Sequence, residues 1–409
     1  MNLYEDLKWR GLIYDITDDA VIDKLNNGEL TFYLGADPTG DSLHVGHLVA
    51  YLVAKRLEKA GNKPILLIGG ATGSIGDPKP TAERQLLSAE VTKHYAECLT
   101  KQVKELLNCT VVNNLDWTKD LNVLDFLRNY GKFFNVNYMI NKETVKARLD
   151  SGISYTEFSY QILQAMDFEY LFRNYGCNAQ IGGQDQWGNM TGGLELIRKI
   201  HGQEAQAYAI TIPLILKSDG TKFGKTEGGA VWLDKEKTSP YHFYQFWFNT
   251  PDDMVILRLK QFTFLTKEEI EQLELSVKEE PHLRKAQIKL AEEVTKFIHG
   301  EDGLNEAKKI TQALFSGNIK ELNAKEVEMA FSSMPKATIN EDTLLIDALV
   351  LAGASKSKRE AREFISNGAV LVNGEQIKDL EFKLSKELRI GKYIILRRGK
   401  KNYYCVEYE

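Results

Sequence analysis

The chain of 409 residues is 43% hydrophobic and 27% charged, the balance of a cored globular protein of two or three domains rather than a disordered or fibrous one. It has no run of 18 or more apolar residues, and its opening MNLYEDLKWRGLIYD lacks the basic-then-apolar order of a signal peptide; this excludes a membrane-spanning helix and makes a cytoplasmic protein the expectation. The net charge of −5 hides an asymmetry: residues 343–409 hold 13 Lys and Arg against 9 Asp and Glu, a tail of +4 on a body of −9, which points to an anionic partner met by the tail.

Along the chain, TFYLGAD (31–37) and KPILLIGGATG (63–73) read as strands. Between them HVGHLVAYLVAKRLEKAG (44–61) has apolar residues at helical spacing, basic residues near its end and Gly61 as its stop. Strand, loop, helix, strand is a βαβ unit, expected to be right-handed with its ligand site where the strand ends meet the next helix N-terminus. From about 112 to 170 the pattern is mainly helical, closing with TEFSYQILQAMDFEYLF, and reads as an insertion between two halves of the sheet. TKEEIEQLELSVKEE and LRKAQIKLAEEVTKFIHG are amphipathic helices of a further domain. The expected organisation is therefore an α/β fold. A Rossmann-like doubly wound parallel sheet domain occupies 1–225, with the insertion near 115–170. A helical domain (226–315), a linker (316–342) and a small α+β domain (343–409) follow. Cys98, Cys109, Cys177 and Cys405 show no metal-ligand spacing and read as reduced, mostly buried thiols.

Four segments carry candidate chemistry. In Asp37-Pro38-Thr39-Gly40-Asp41-Ser42-Leu43-His44-Val45-Gly46-His47, two histidines three apart are expected on one face at a helix N-terminus, where free N–H groups favour phosphate. Gly46 between them lets a flat base approach the backbone. A structural histidine pair is the alternative; zinc lacks a third ligand. The glycine-rich run Lys217–Gly229 reads as a mobile basic loop whose Lys222 and Lys225 can converge on a polyphosphate, or simply as an exposed basic loop. Tyr160, Gln164 and Asp167 share a helix face, as a pocket wall or as a solvated stripe. The turn Gln180–Asn189 suits a ribose, with Asp185 accepting from its hydroxyls, or is only a tight turn.

Together and in this order the four segments resemble the bacterial tyrosyl-tRNA synthetases over essentially the whole chain. His44-Val45-Gly46-His47 is similar to the HIGH signature of class I synthetases, and Lys222-Phe223-Gly224-Lys225-Thr226 to their KMSKS loop. The combination of Tyr33, Asp77, Tyr160, Gln164 and Asp167 with GGQDQWGN is the tyrosine-specific part. The resemblance implies that Tyr33 and Asp167 bond the substrate's phenolic hydroxyl, that Asp77, Tyr160 and Gln164 hold its ammonium, and that Asn114 lines the amino-acid side. A site built for a hydroxyl leaves its own donor and acceptor unpaired with phenylalanine, and this enzyme class is the standard illustration of that rule. Asp37, Gly46, Gly183, Asp185 and Gln186 match the adenylate side.

The implied reaction is attack of the tyrosine carboxylate on the α-phosphate of ATP, then transfer of tyrosine to the 3′ end of tRNA(Tyr). Thr39, His44, His47, Lys222, Lys225 and Thr226 would stabilise charge on the leaving pyrophosphate. Magnesium accompanies the ATP, with no tightly bound cofactor and no protein metal site. After Gly76-Asp77-Pro78 the family commonly continues Ser-Gly-Lys, where this chain has Lys79-Pro80-Thr81-Ala82-Glu83-Arg84; Arg84 matches a pyrophosphate-binding residue, and Lys79 stands nearest the family's lysine. The tail ALVLAGASKSKREAREFISNGAVLVNGEQI resembles the small RNA-binding module of ribosomal protein S-four, with Lys356, Lys358, Arg359 and Arg362 able to meet successive phosphates. A homodimer formed through the insertion is also implied. Two rivals are a tryptophanyl-tRNA synthetase, disfavoured because an indole has no hydroxyl for Tyr33 and Asp167, and a synthetase fold kept only for binding RNA.

Overall fold

Apolar runs become strands where a parallel sheet can bury them on both faces, and this is how the first half of the chain folds in the computed structural model. The structure describes all residues except 80–84, 217–219, 222, 227–228, 333 and 400–401, and gives no side-chain account of Lys225 and Thr226. It divides into two compact units, Met1–Asp234 with Asp252–Pro281, and Lys235–Pro251 with His282–Glu409.

In the first unit six strands order as β1-β6-β5-β2-β3-β4: β1 (Asp15–Ile16), β2 (Thr31–Ala36), β3 (Lys63–Ile68), β4 (Thr110–Asn113), β5 (Ala179–Gly183) and β6 (Tyr208–Ile212). All neighbours are parallel except β1, which pairs antiparallel to β6, and the short strands β7 (Lys225–Thr226) and β8 (Gly229–Ala230) pair antiparallel as a separate ladder. The chain winds outward from β2 through β3 to β4, then returns to place β5 on the other side of β2. The strand order therefore reverses between β2 and β5, and a crevice opens there at the carboxyl ends. The helix Val45–Lys59 follows β2 and buries Leu48, Leu52, Val53 and Leu57, each contributing about 1.5–3 kcal/mol. The helix Tyr155–Tyr175 ends on Gly176 in the left-handed conformation and packs along the helix Trp187–His201. Between β4 and Tyr155 lie only short helical pieces.

In the second unit, the helix Lys285–Ser316 is broken at Gly300 (φ 71°, ψ −176°). A five-stranded sheet orders as β11-β10-β12-β13-β9, from β9 (Lys336–Ile339), β10 (Val370–Val372), β11 (Glu375–Gln376), β12 (Tyr393–Arg398) and β13 (Asn402–Tyr408).

Two expected boundaries differ from this arrangement. The stretch 316–342, expected as a linker, is folded. Asn323 and Glu326 form a capping box for the helix Ala324–Phe331, Val327 and Phe331 pack against Ile395 and Cys405, and β9 pairs in parallel with β13. The low periodicity had a simple cause, since an eight-residue helix and a four-residue strand are too short to show one. The expected helical domain 226–315 is divided, with residues 252–281 belonging to the first unit and 282–315 to the second. Cys177 and Cys405 are buried, whereas Cys98 and Cys109 are half-exposed.

Candidate active site at the strand switch point

A cavity of about 920 Å³ occupies the crevice between β2 and β5. Tyr33, Asp77, Tyr160, Gln164 and Asp167, scattered over 135 positions of sequence, all line it. Asp37, Thr39, Gly46, His47, Gly183, Asp185 and Gln186 line it as well. His44, whose ring stacks on that of His47, is not among the lining residues, while Arg84 and Lys222 lie outside the described residues, as do the side chains of Lys225 and Thr226.

The deep end is a buried carboxylate with its donors. Asp167 accepts from Asn114 Nδ2 at 2.9 Å and from Trp117 Nε1 at 3.0 Å. Burial pushes its carboxyl up to about 7, the two hydrogen bonds oppose the rise, and Asp37 adds to it. Tyr33 faces the same end. Its hydroxyl is buried with no hydrogen-bond partner, and burial followed by the Asp167 charge holds its pKa far above the ordinary phenol value, so it stays a proton donor. Asn114, expected to line the pocket, is instead fully buried behind it. Its Oδ1 accepts from the Ala71 amide at 2.7 Å, and its Nδ2 reaches both Asp167 and Thr72 Oγ1.

The middle of the cavity is a set of acceptors. Thr72 Oγ1 donates to Asp37 Oδ1 at 2.7 Å and Tyr160 Oη donates to Asp37 Oδ2 at 2.9 Å. With its hydroxyl hydrogen directed at Asp37, Tyr160 presents only lone pairs to the cavity. Gln164 Oε1 is buried without a partner. Asp77 accepts from Gln186 Nε2 at 2.9 Å and Asn189 Nδ2 at 3.3 Å, so the GGQDQWGN turn is laced to a residue 109 positions earlier. A Cβ at Gly183 would stand 2.5 Å from Asp185 Oδ1 and would turn that carboxylate from its present position.

The mouth is the N-terminus of the helix Val45–Lys59. The two histidines lie on one side of the helix N-terminus, but His44 is the N-cap and not a helical residue, its Nδ1 accepting from the Gly46 amide at 3.0 Å, while His47 Nδ1 lies 3.4 Å from the His44 amide. The rings stack at 3.8 Å. With both Nδ1 atoms accepting, a neutral ring keeps its proton on Nε2, which becomes the outward donor. Gly46 is closely enclosed: a Cβ would meet His44 Cε1 at 2.7 Å and the Phe223 carbonyl at 3.0 Å. That carbonyl belongs to the glycine-rich run, which is further anchored by bonds from Val231 to Gly224 and from Val45 to Val231. The two signature segments thus meet.

Sequence reasoning missed Thr72, Trp117 and Asn189. Thr72 follows a strand end in GGATG and Asn189 sits in the turn already singled out, so both had local signals; Trp117 had none. Among the described residues no group of three or more His, Cys, Asp or Glu side chains could hold a metal ion, and no helix is long and apolar enough to cross a membrane. In the second unit Lys356, Lys358, Arg359 and Arg362 are all exposed, and Lys358 pairs with Asp347 at 2.6 Å.

A doubly wound sheet with a helix N-terminus and an acceptor-lined cavity at its switch point is the arrangement in which open α/β folds bind nucleotides. Residues 25–316 match the family model of class I tRNA synthetases for tryptophan and tyrosine, and residues 326–406 match the C-terminal domain of tyrosine–tRNA ligases. A C-terminally truncated mitochondrial tyrosyl-tRNA synthetase of Aspergillus nidulans is 32% identical, with a TM-score of 0.69 over 77% of this chain and 94% of that one. Its counterpart from Coccidioides posadasii is 30% identical, with a TM-score of 0.67 over 76% and 91%. A tryptophanyl-tRNA synthetase from Encephalitozoon cuniculi shares the fold alone, at 15% identity and a TM-score of 0.57 over 74% and 87%. The chain belongs to the tyrosyl-tRNA synthetase family. It is a tyrosine–tRNA ligase that takes ATP as a substrate.

Proposed function

We propose that the cavity binds tyrosine by its two ends and that each lining group does one task. Tyr33 donates to the phenolic oxygen and Asp167 accepts the phenolic proton, a reading supported above all by a buried, unpartnered Tyr33 hydroxyl facing a buried carboxylate. The ammonium has three acceptors: the Tyr160 lone pairs, Gln164 Oε1 and the Asp77 carboxylate. ATP lies toward the helix N-terminus, where the amides near Gly46 and the outward Nε2–H of His47 meet phosphate oxygens, with Thr39, His44, Lys222, Lys225, Thr226 and Arg84 completing the polyphosphate side. Asp37, Gly183, Asp185 and Gln186 flank the adenylate. Magnesium enters on the ATP phosphates, whose oxygens supply most of its ligands.

The reacting carboxylate is already ionised, so no protein nucleophile is needed; fixing the carboxylate against the α-phosphate and neutralising pyrophosphate carry the rate. The exposed Lys356, Lys358, Arg359 and Arg362 of the C-terminal module grip tRNA phosphates. The same reading covers a bacterial form of the family, cytoplasmic residence and a homodimer. Support for the dimer comes from the insertion, where Val123, Leu124, Val136, Tyr138 and Tyr155 are all more than half exposed. Radiolabelled pyrophosphate exchange with tyrosine, phenylalanine and tryptophan supplied separately tests the site. Exchange with tyrosine alone, weakened in Asp167→Asn, is expected; exchange unaltered by that substitution would remove Asp167 from the hydroxyl readout.

A further inference from the structure

One buried ion pair stands beside the cavity and has no place in the reading above. Arg148 and Glu157 are 4% and 2% exposed, and Arg148 Nη1 lies 3.1 Å from Glu157 Oε2. Glu157 is in the first turn of the helix Tyr155–Tyr175, one turn before Tyr160 and two before Gln164. The same guanidinium donates from Nη1 to the Lys79 carbonyl at 3.0 Å, and from Nη2 and Nε to the Gly152 carbonyl at 3.0 and 3.2 Å.

Lys79 is two residues beyond Asp77, and the residue between them is Pro78, whose ring fixes φ. Pro78 thus removes one of the few torsions that separate the Lys79 carbonyl from Asp77, so holding that carbonyl restricts where Asp77 can stand. One planar side chain ties the Asp77-Pro78-Lys79 segment to the helix that carries Tyr160 and Gln164. Its other contacts are to the turn that leads into that helix. A charged pair taken this far out of water gives little net stability of its own, because desolvation offsets its attraction. Its geometry, however, is specific: a planar fork engages three partners at once, which a lysine cannot reproduce.

We infer that Arg148, held by Glu157, is a positioning residue for the substrate ammonium, setting the separation between Asp77 on one side and Tyr160 with Gln164 on the other. The inference rests on the assignment of those three residues to the ammonium. Tyrosine then feels Arg148 only through its amino group, and the phenol end, held by Tyr33 and Asp167, does not.

The test compares full-length wild type, Arg148→Lys, Glu157→Gln and Asp77→Asn in tyrosine-dependent pyrophosphate exchange. Thermal melting accompanies each, and 3-(4-hydroxyphenyl)propionate, which lacks the ammonium, serves as a competitive inhibitor. Arg148→Lys keeps the charge opposite Glu157 but not the three-way fork. It should raise KM for tyrosine roughly 10-fold or more, the scale of one lost charge-assisted bond, leaving kcat and KM for ATP within a factor of about two. Its Ki for the desamino inhibitor should stay at the wild-type value. Glu157→Gln keeps an acceptor for Arg148 and the bond to Lys79, so it should leave KM for tyrosine near the wild-type value even where its melting temperature falls. A melting temperature lowered in Arg148→Lys with KM for tyrosine unchanged would make the pair merely structural and overturn the inference, as would tyrosine and the desamino inhibitor weakened alike. If Asp77→Asn leaves KM for tyrosine untouched, the ammonium assignment itself fails, a result separate from the behaviour of Arg148.

Discussion

Asp167→Asn should change the pH dependence of stability as well as substrate choice. The Asp167 carboxyl is held at about 7 against a usual 3.8, chiefly by burial. At about 1.4 kcal/mol per pKa unit, ionising it in the folded, empty protein costs on the order of 4 kcal/mol. Its folded pKa is raised, so between pH 4 and pH 7 the unfolded chain has released a proton that the folded chain still holds. Stability therefore falls as pH rises through that window and is level above it. Asparagine removes the slope. It also turns an amide NH₂ toward either Asn114 Nδ2 or Trp117 Nε1, both donors, and an unpaired buried donor costs about 1–3 kcal/mol at every pH. The stability difference between the two proteins should thus shift by roughly 4 kcal/mol in favour of asparagine from pH 4 to pH 8, on a constant offset. Urea unfolding of the ligand-free protein, followed by tryptophan fluorescence at half-unit steps of pH, reads this directly. A difference that is flat with pH, or that moves toward aspartate as pH rises, would refute a carboxyl held neutral by burial.

The same group sets the pH profile of binding. KM for tyrosine should rise as pH falls below about 7, by up to about tenfold per unit, while KM for ATP stays level, and Trp117→Phe should move the rise to higher pH by removing a bond that holds the carboxyl down; initial rates of exchange at saturating ATP measure both. Gly46→Ala should raise KM for ATP and lower kcat by at least roughly tenfold, because the new methyl would stand 2.7 Å from His44 Cε1 and 3.0 Å from the Phe223 carbonyl; steady-state exchange against ATP concentration tests it. Leu124→Asp, at a side chain 77% exposed, should convert a dimer to a monomer with the fold intact, as sedimentation velocity would report.

What could be read from the sequence and what could not separate along a physical line. The βαβ unit was legible because a strand and a helix each bury an apolar face, and their periods appear within ten residues; β2, β3 and the helix Val45–Lys59 fall within two residues of expectation except at the glycine-rich end of β3. Tyr160, Gln164 and Asp167 were legible as a helix face for the same reason, and the structure brings all three to the cavity. His44 was misplaced by one step, since an i, i+3 spacing looks the same whether the first residue begins the helix or caps it. The partners of these residues were not legible. Asn114 to Asp167, Gln186 to Asp77 and Arg148 to Lys79 span 53, 109 and 69 positions, and no local period encodes a hydrogen bond across such a distance.

Those long pairings explain why the two ends of the substrate site do not act independently. Trp117 and Asn114 donate to Asp167, Asn114 also donates to Thr72, Thr72 donates to Asp37, and Tyr160 donates to Asp37 from the other side. The run from the phenol end to the ammonium end is continuous, and its donors and acceptors are matched at every step. Its two carboxylates repel, since Asp37 raises the pKa of Asp167, so neutralising one eases ionisation of the other. A bound ammonium beside Asp37 and Asp77 lowers the cost of ionising Asp167, which then accepts the phenolic proton more strongly. Recognition of the amino group thus strengthens recognition of the hydroxyl, and a ligand with only one of the two loses more than that group's own contacts.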